Sequence, residues 1–332
     1  MAFRVMTISH SNHDQLLSPG EEGPGPIVRV KPDRLREAVE RLTASGAESD
    51  PDHTHQFIRF AQENKIDLDA FWARLNSRGR MIHSVLCVPS PGRTCMVFSS
   101  NPTGASEMRS IAGIIDHACL ELTESGIDLA QALLEPGETL LRDAYLHAAF
   151  TELAMLSYLE RPLPSRRHKP EVQWPEGITV ESYQESNWDE LMDVLDTTYE
   201  ETLDCPGLFG LRKTVDILTG HRSSGRFDPS LWTILRIEGI ASGLLLLNSA
   251  PASRSVELVY MGLALKARGK GLGTQLLNHG LCLLAGRSEY NITLAVDELN
   301  APALAMYRSA GFRRTLRRRA MVRSIQITDV TD

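Results

Sequence analysis

The sequence predicts a mixed α/β protein of the α+β kind with two domains, and three observations lead to this class. The chain has 332 residues, more than one hydrophobic core usually organises. Its second half alternates between runs rich in Leu, Ile and Val and stretches with apolar residues at helical spacing. The sequence also repeats itself weakly when it is laid over itself with Tyr145 on Tyr307, so the two domains are predicted to be related.

The composition is typical of a globular protein and disfavours several classes of partner. Hydrophobic residues make up 42% and charged residues 23% of the chain, and the formal net charge is −7. A negative chain is not drawn to nucleic acid or to anionic membranes. The longest apolar stretch, Ile240–Leu247, is far shorter than the roughly 20 residues that span a bilayer, and the N-terminus lacks an apolar secretory core. We expect a cytoplasmic protein with no nucleic-acid or membrane partner.

Cysteine and histidine residues give no sign of a metal site. The five cysteines are widely spaced and form neither a CxxC nor a Cys/His ligand pattern; they are Cys87, Cys95, Cys119, Cys205 and Cys282. We expect reduced thiols that are mostly buried. His53 and His55 have no third ligand nearby, so they are interpreted as surface residues, and no metal is predicted.

Two Pro-rich interruptions divide the chain. Residues 18–26 form a Pro/Gly-rich loop that neither a helix nor a sheet accommodates, and 161–176 contain four prolines and a basic cluster. The predicted divisions are an N-terminal segment, a first domain, a linker and a second domain: 1–26, 27–160, 161–176 and 177–332.

The second domain is predicted in more detail. Apolar residues at helical spacing follow Asn187, a plausible N-cap, and three Leu/Ile/Val-rich runs separated by turn residues then predict consecutive strands. Further along, the patterns favour two more helices with a strand between them and a closing strand in the tail. The predicted order is helix 187–201, strands 231–237, 243–248 and 255–265, helix 274–285, strand 292–296 and helix 301–310.

The segment 268–273, with the sequence RGKGLG, lies between the third predicted strand and the following helix. Because Gly269, Gly271 and Gly273 have no side chains, backbone N–H groups at the helix N-terminus can approach a pyrophosphate, and the positive end of the helix dipole assists. Arg268 and Lys270 are expected to add mobile positive charge. A glycine-rich turn alone is weak evidence for a particular cofactor, because other nucleotide-binding loops use the same interactions with different spacing.

The pattern Arg-x-x-Gly-x-Gly after a strand resembles the acetyl-CoA pyrophosphate loop of the GNAT superfamily of N-acetyltransferases. Downstream, Asn300-Ala-Pro-Ala-Leu-Ala-Met-Tyr307-Arg-Ser-Ala-Gly-Phe312 is similar to that superfamily's second cofactor motif. The resemblance implies a splayed sheet with acetyl-CoA as co-substrate. It assigns cofactor contacts to Leu263, Ala264, Leu265, Arg268, Gly269, Lys270, Gly271, Leu272, Gly273, Thr274, Asn300 and Ala303. Leu265 departs from the proline that many relatives carry, but only backbone contact is expected there.

The same resemblance implies catalytic roles for two side chains. Tyr307 matches the tyrosine that protonates the departing CoA thiolate, with a purely packed aromatic as the alternative. Glu257 matches a position where many relatives carry a carboxylate base, with a structural ion pair or surface residue as the alternative. The predicted reaction is direct transfer of the acetyl group to a primary amine of a small molecule or peptide. A transferase for longer acyl-CoAs and a non-catalytic acyl-CoA sensor remain alternatives.

The repeat offset, defined here as the separation of Tyr145 and Tyr307, places 144–150 over 306–312 with Tyr, Ala and Phe in register. We therefore predict two GNAT-like lobes in tandem, as in mycothiol-synthase-like double-GNAT proteins; a chance overlay onto an unrelated helical domain is the alternative. At the position of the glycine loop the first lobe has 106–111, SEMRSI, without glycine. The first lobe is predicted not to bind acetyl-CoA.

The acceptor and the basic residues near the C-terminus are less well defined by the sequence. Glu200, Glu201 and Asp204 follow the first helix of the second lobe, where relatives border the acceptor pocket, so they are predicted to attract a cationic amine; a solvated helix end is the alternative. Five arginines between 313 and 319 are interpreted as a solvated or ion-paired strand face, since they lack interleaved aromatics. The oligomeric state stays open.

Overall fold

The structure is a computed structural model that describes residues 25–44, 51–63 and 66–325. The chain divides into two compact units. The N-terminal unit contains the described residues up to Glu152 together with 319–325, and the C-terminal unit contains Leu153–Arg318. The predicted loop at 18–26 lies almost wholly outside the described residues.

The first half of the chain contains six strands and four α-helices among its described residues. In chain order they are β1 (Ile27–Arg29), α1 (Leu35–Thr43), α2 (Pro51–Glu63), β2 (Phe71–Leu75), β3 (Met81–Ser90), β4 (Thr94–Ser99), α3 (Ala105–Leu122), β5 (Leu129–Leu134), α4 (Thr139–His147) and β6 (Thr151–Pro162). The second half contains β7 (Ile178–Ser182), α5 (Trp188–Tyr199), α6 (Thr214–Ser223), β8 (Trp232–Ile237), β9 (Ile240–Ala250), β10 (Ser255–Leu263), α7 (Leu272–Leu283), β11 (Asn291–Asp297), α8 (Ala301–Ser309) and β12 (Arg313–Ser324). The predicted mixed α/β class is confirmed.

The sheet of the C-terminal unit has the strand order β6-β11-β10-β9-β8-β7. Only the β10–β11 pair is parallel; the other described pairs are antiparallel. Both faces of this sheet are apolar. One face packs against α7 and α8 through residues such as Leu247 and Leu276, and the other packs against α5 and α6 through residues such as Leu244 and Leu195. The sheet is therefore buried between helices on both sides.

The sequence located most elements of this unit within a few residues. The predicted strand at 243–248 is longer, because β9 begins at Ile240, and the helix predicted from 274 begins at Leu272. Helix α6 was not predicted. It contains a glycine and buries only Leu218 completely, so its apolar spacing is weak.

Each unit is completed by a strand from the other half of the chain. In the C-terminal unit β6 pairs with β11, with Pro162 opposite Asn291. In the N-terminal unit the end of β12 pairs with β5, with Ser324 opposite Leu129. When the repeat offset is applied, these two registers are equivalent. The divisions at 27–160 and 177–332 follow the two repeats and not these compact units, and they stay a prediction.

The structure supports the internal repeat. Helix α4 shifted by the repeat offset covers the bounds of α8, and β6 shifted by the same amount covers the bounds of β12. The parallel pair β10–β11 also has a counterpart, because β4 and β5 are parallel. Leu129 lies opposite Thr94 and its equivalent Asn291 lies opposite Ser255, so the two registers differ by one residue under the repeat offset. The tandem arrangement predicted from the sequence is confirmed.

Other expectations concern the surface and the cysteines. All five cysteines are free, and Cys87, Cys95 and Cys119 are buried. In the arginine run of β12, Arg314 and Arg317 contact Glu298, which fits an ion-paired strand face. Across the described ranges no group of residues is arranged to hold a metal ion, and none of the described helices is long and apolar enough to cross a membrane.

Candidate active site

Strands β10 and β11 pair over only three residues each. Ser255–Glu257 lie opposite 291–293, after which β10 continues along β9 to Leu263 and β11 continues along β6 to Asp297. Since both strands continue with other neighbours, they diverge after Glu257. The splayed sheet implied by the sequence resemblance is present in the C-terminal unit.

A β-bulge at Val259 controls which side chains of β10 face each layer of helices. The register with β9 shifts between Leu258 and Tyr260, so the alternation of side chains resets there. Leu258 and Met261 pack with the core on the α7/α8 side, whereas Tyr260 packs on the α5/α6 side. Glu257 shares the α5/α6 side, where its Oε2 accepts a hydrogen bond of 3.1 Å from the hydroxyl of Ser224. Glu257 and Tyr260 therefore face the same pair of helices.

The glycine loop, defined here as 268–273, follows the end of β10. Gly269 and Gly271 have φ of +74° and +76°, which a side chain strains, and a Cβ added to either would meet nothing within 4 Å. Gly271 is the N-cap of α7, so the first amides of that helix have no preceding turn to accept their hydrogen bonds. Both glycines are exposed, so the loop leaves room at these two Cα atoms beside the first amides of α7.

The other residues predicted to contact the cofactor differ in how deeply they are buried. Leu265 begins a short 3-10 turn and is exposed, so the predicted strand ends two residues earlier, at Leu263. Leu272 is buried, and a Cβ on Gly273 would lie 3.4 Å from the Met306 sulfur. Lys270 is exposed, while Ala264 is half-buried.

The side chain of Arg268 differs from the expectation of a mobile charge. Its guanidinium donates hydrogen bonds to four backbone carbonyls, those of Thr198, Glu200, Glu201 and Leu263, at 2.7–3.0 Å. The expected mobility is therefore wrong, because these bonds fix the side chain. A backbone contact of Arg268 with a pyrophosphate stays a prediction.

Tyr307 lies in α8 and is 6% exposed. Its ring packs edge-on against Phe312 at 5.5 Å between centroids, and no residue in the described part of the chain hydrogen-bonds its hydroxyl. Burial, with smaller contributions from Asp204 and Tyr260, raises the pKa of Tyr307, so the phenol keeps its proton at neutral pH. The second-motif Asn300 caps α8 by accepting a hydrogen bond from the half-buried Ala303 amide at 3.2 Å.

The acidic segment after α5 is attached to the end of β11. Asp204 accepts a 2.8 Å hydrogen bond from the Asp297 amide, and Asp297 accepts a 3.3 Å hydrogen bond from the Cys205 amide. Loss of solvation raises the pKa of Asp204, and the charge of Asp297 adds to this effect, although the Asp297 amide and Asn300 oppose it. By surface area Glu200, Glu201 and Asp204 are all exposed, but of the three only the Asp204 carboxylate is hydrogen-bonded to the end of β11 in the described structure. The three predicted substrate contacts are thus in two different settings.

The α5/α6 side of the sheet also carries polar residues that the sequence does not predict as site residues. The Tyr260 hydroxyl lies 2.6 Å from that of Thr198, and the rings of His221 and Tyr260 are 5.7 Å apart. Burial lowers the pKa of His221 to about 3, so its imidazole is neutral at physiological pH. His221 lies in α6 and Ser224 comes directly after it. Since the sequence does not predict this helix, it does not predict these two residues at the site. Asp297 has a signal in the sequence, because it is a carboxylate at the end of the apolar strand β11.

These features define an acetyltransferase-type domain, and a sequence comparison agrees. Residues 188–312 match the sequence model of the Acetyltransferase (GNAT) family. This part of the chain is a GNAT domain.

Individual relatives include mycothiol acetyltransferases. That of Streptomyces bingchenggensis is 30% identical over 163 residues, which cover 47% of this chain and 50% of the relative. That of Clavibacter michiganensis subsp. michiganensis is 39% identical over 88 residues, which cover 26% and 28%. The chain therefore matches half or less of the length of these relatives.

Solved structures are similar over most of the chain. A GCN5-related N-acetyltransferase from Sphaerobacter thermophilus has a TM-score of 0.58 at 13% identity, covering 91% of this chain and 96% of that one. A glucosamine N-acetyltransferase region of a fungal multi-domain β-N-acetylglucosaminidase has a TM-score of 0.55 at 14% identity, covering 95% and 39%. At these identities the similarity concerns the fold.

Proposed function

We propose that the protein transfers an acetyl group from acetyl-CoA directly to a primary amine of a small molecule or peptide. The observation that carries this proposal is the divergence of β10 from β11, with an open glycine loop directly after β10. The Tyr307 hydroxyl, which no described residue hydrogen-bonds, supports it. The GNAT domain over 188–312 supports acyl transfer in general. The names of the mycothiol acetyltransferase relatives support an acetyl donor and a small-molecule acceptor.

The residues present fit acetyl-CoA. The exposed amides of Gly269–Gly271 and the start of α7, with Thr274 in its first turn, suit a pyrophosphate, because charge-assisted hydrogen bonds from a helix N-terminus stabilise an anion. The backbone of Leu263 and Leu265 is the proposed contact for the pantetheine arm, and Asn300 and Ala303 the contact on the opposite side. When bound, acetyl-CoA supplies the activated acetyl thioester.

Two side chains are proposed to move protons in this reaction. Glu257 would accept a proton from the amine, directly or through water, as nitrogen bonds to the acetyl carbon. Tyr307 would donate its proton to the sulfur as the carbon–sulfur bond breaks. Burial raises the pKa of Tyr307, so the phenol is protonated at neutral pH and holds the proton that the departing sulfur would take, but the same shift makes it a weaker acid. No base role is proposed for His221, because its lowered pKa makes the imidazole a weak base.

The first experiment is to measure release of the CoA thiol from acetyl-CoA with a panel of amines. Wild type is compared with Glu257→Gln, which keeps an oxygen for Ser224 but cannot accept a proton, and with Glu171→Gln, an exposed glutamate of the linker, as a matched control. We expect turnover with at least one amine and a loss of about tenfold or more in kcat/KM for Glu257→Gln alone.

The outcomes separate the alternatives. Tight acetyl-CoA binding without turnover on any amine would favour an acyl-CoA sensor and overturn the proposal. Faster turnover with propionyl-CoA or butyryl-CoA would change the assigned donor and leave acyl transfer to amines intact. We further propose that the protein acts in the cytoplasm, which the five free cysteines support.

A further inference from the structure

The guanidinium of Arg268 joins two parts of the candidate site. Its Nε donates to the carbonyl of Leu263 at 2.9 Å, at the end of β10. Its terminal nitrogens donate to the carbonyls of Thr198, Glu200 and Glu201 at 2.9, 2.7 and 3.0 Å, at the end of α5. One side chain of the glycine loop therefore holds the beginning of the α5–α6 loop, defined here as 200–213.

This arrangement has a physical basis in the helix end. The last carbonyls of a helix have no intrahelical partners and carry the negative end of the helix dipole, so a cation with several donors stabilises them. Arginine has five N–H donors in a planar fork and keeps its charge, which suits several acceptors at once. The charge of Arg268 is thereby directed at α5, whereas the neighbouring Lys270 is exposed.

The same stretch of chain is fixed again a few residues later. Asp204 accepts a hydrogen bond from the Asp297 amide at 2.8 Å, at the end of β11. On the last turn of α5, the hydroxyl of Thr198 also lies 2.6 Å from that of Tyr260. Between these attachments, Glu201 has a left-handed φ of 49° that a relaxed chain disfavours. The segment therefore depends on its attachments for its shape.

We propose that Arg268 is a positioning residue that sets the shape of the α5–α6 loop for the acceptor amine. This assignment rests on the proposed acetyltransferase function and deepens it. Arg268 acts through the loop and not through contact of its charge with the pyrophosphate.

The test compares Arg268→Gln and Arg268→Lys with Lys270→Gln, the adjacent cation of the same loop. For Arg268→Gln we expect the acceptor KM to rise about tenfold, equivalent to about 1.4 kcal/mol, while the Kd for acetyl-CoA changes less than about threefold. Lysine keeps the charge but not the fork, so Arg268→Lys recovers part of the effect. Lys270→Gln is expected to have the opposite effect: acetyl-CoA binds more weakly and the acceptor KM is unchanged.

A second measurement does not require turnover. Hydrogen exchange at the amides of 201–205 is expected to be faster in Arg268→Gln than in wild type, with exchange in α7 and β9 unchanged. If the amine panel gives no turnover at all, the proposed function fails, but this exchange and the acetyl-CoA Kd still decide the role of Arg268. Unchanged exchange in 201–205, or an acetyl-CoA Kd that weakens as much as the acceptor KM, would overturn the inference.

Discussion

Tyr145 and Tyr307 occupy the same place in the two repeats, but their hydroxyls have different surroundings. Each is buried in a short helix, and in each repeat the phenylalanine five residues later donates its amide to the tyrosine carbonyl at 3.0 Å. The Tyr145 hydroxyl donates to the Val97 carbonyl at 2.8 Å, whereas no described residue hydrogen-bonds that of Tyr307. Val97 corresponds to Val259, the bulged residue of β10. The N-terminal repeat thus uses internally the phenol that the C-terminal repeat leaves available.

The helices that follow the equivalent strands differ in the same sense. Helix α3 begins at Ala105, and Glu107 accepts hydrogen bonds of 2.8 Å from both the amide and the hydroxyl of Thr103. The first turn of α3 therefore carries a carboxylate that bonds Thr103, the residue before its N-cap, whereas the first turn of α7 has no acidic residue. One scaffold can lose a ligand site by satisfying its own polar groups. That the N-terminal lobe does not bind acetyl-CoA stays a prediction.

The largest expected effect tests the helix ends. Gly271→Glu introduces strain at a positive φ and a negative charge where the pyrophosphate is proposed, so we expect acetyl-CoA to bind about a thousandfold more weakly. Gly104→Glu, at the N-cap of α3, is the matched control, because its backbone is extended and an added Cβ meets nothing within 4 Å. Isothermal titration with acetyl-CoA measures both. Equal weakening by the two substitutions would contradict the comparison.

The next effect separates the two tyrosines. Tyr307→Phe is expected to lower kcat about a hundredfold with little change in the acetyl-CoA Kd, because only the proton donor is lost. Tyr145→Phe is expected to leave kcat within about twofold and to cost about 1–2 kcal/mol of stability, because a buried hydrogen bond to Val97 is lost. Steady-state kinetics and thermal unfolding distinguish these results. A comparable loss of kcat in Tyr145→Phe would mean that the first lobe takes part in catalysis.

The sequence could predict the parts of the site that depend on local patterns. The glycine loop is recognisable because three glycines follow a strand and precede a helix, and Tyr307 because it belongs to a second motif at the expected distance. Most strands and helices of the C-terminal unit were also found, since their apolar spacing is regular. These features require only neighbouring residues to be interpreted.

Long-range features could not be predicted in the same way. The pairing of β6 with β11 joins residues that are far apart in the sequence, such as Pro162 and Asn291, and no local pattern encodes that register. Likewise, Arg268 in a loop that resembles a phosphate site gives no sign that its side chain caps α5, much earlier in the chain. The prediction that Arg268 supplies a mobile charge is wrong because a motif specifies the residue type but not the direction of its side chain.

A smaller effect tests the acidic segment. Glu200 and Glu201 expose their side chains, so they can act on a cationic acceptor only through solvent-screened attraction. In the double variant Glu200→Gln/Glu201→Gln we expect the acceptor KM to rise about threefold at low ionic strength and to converge with wild type at about 0.5 M salt. Kinetics at two salt concentrations measure this. An unchanged KM for a cationic acceptor at low salt would remove these two glutamates from the substrate contacts.

The smallest effect concerns Asp204 and depends on pH. Its pKa is raised in the folded protein, so between its unfolded and folded pKa values the folded state binds more protons, and the stability contributed by this group is lost as pH rises through the folded pKa. Asp204→Asn keeps an oxygen for the Asp297 amide and removes the charge. The variant should therefore match wild type near pH 4 and become more stable than wild type towards neutral pH. The gain should be less than about 1 kcal/mol, because Asp204 is exposed as a whole and solvent screens its charge. Thermal unfolding across this pH range measures the difference in stability between the variant and wild type. If the variant became less stable than wild type as pH rises, the Asp204 charge would be stabilised and not penalised at the end of β11.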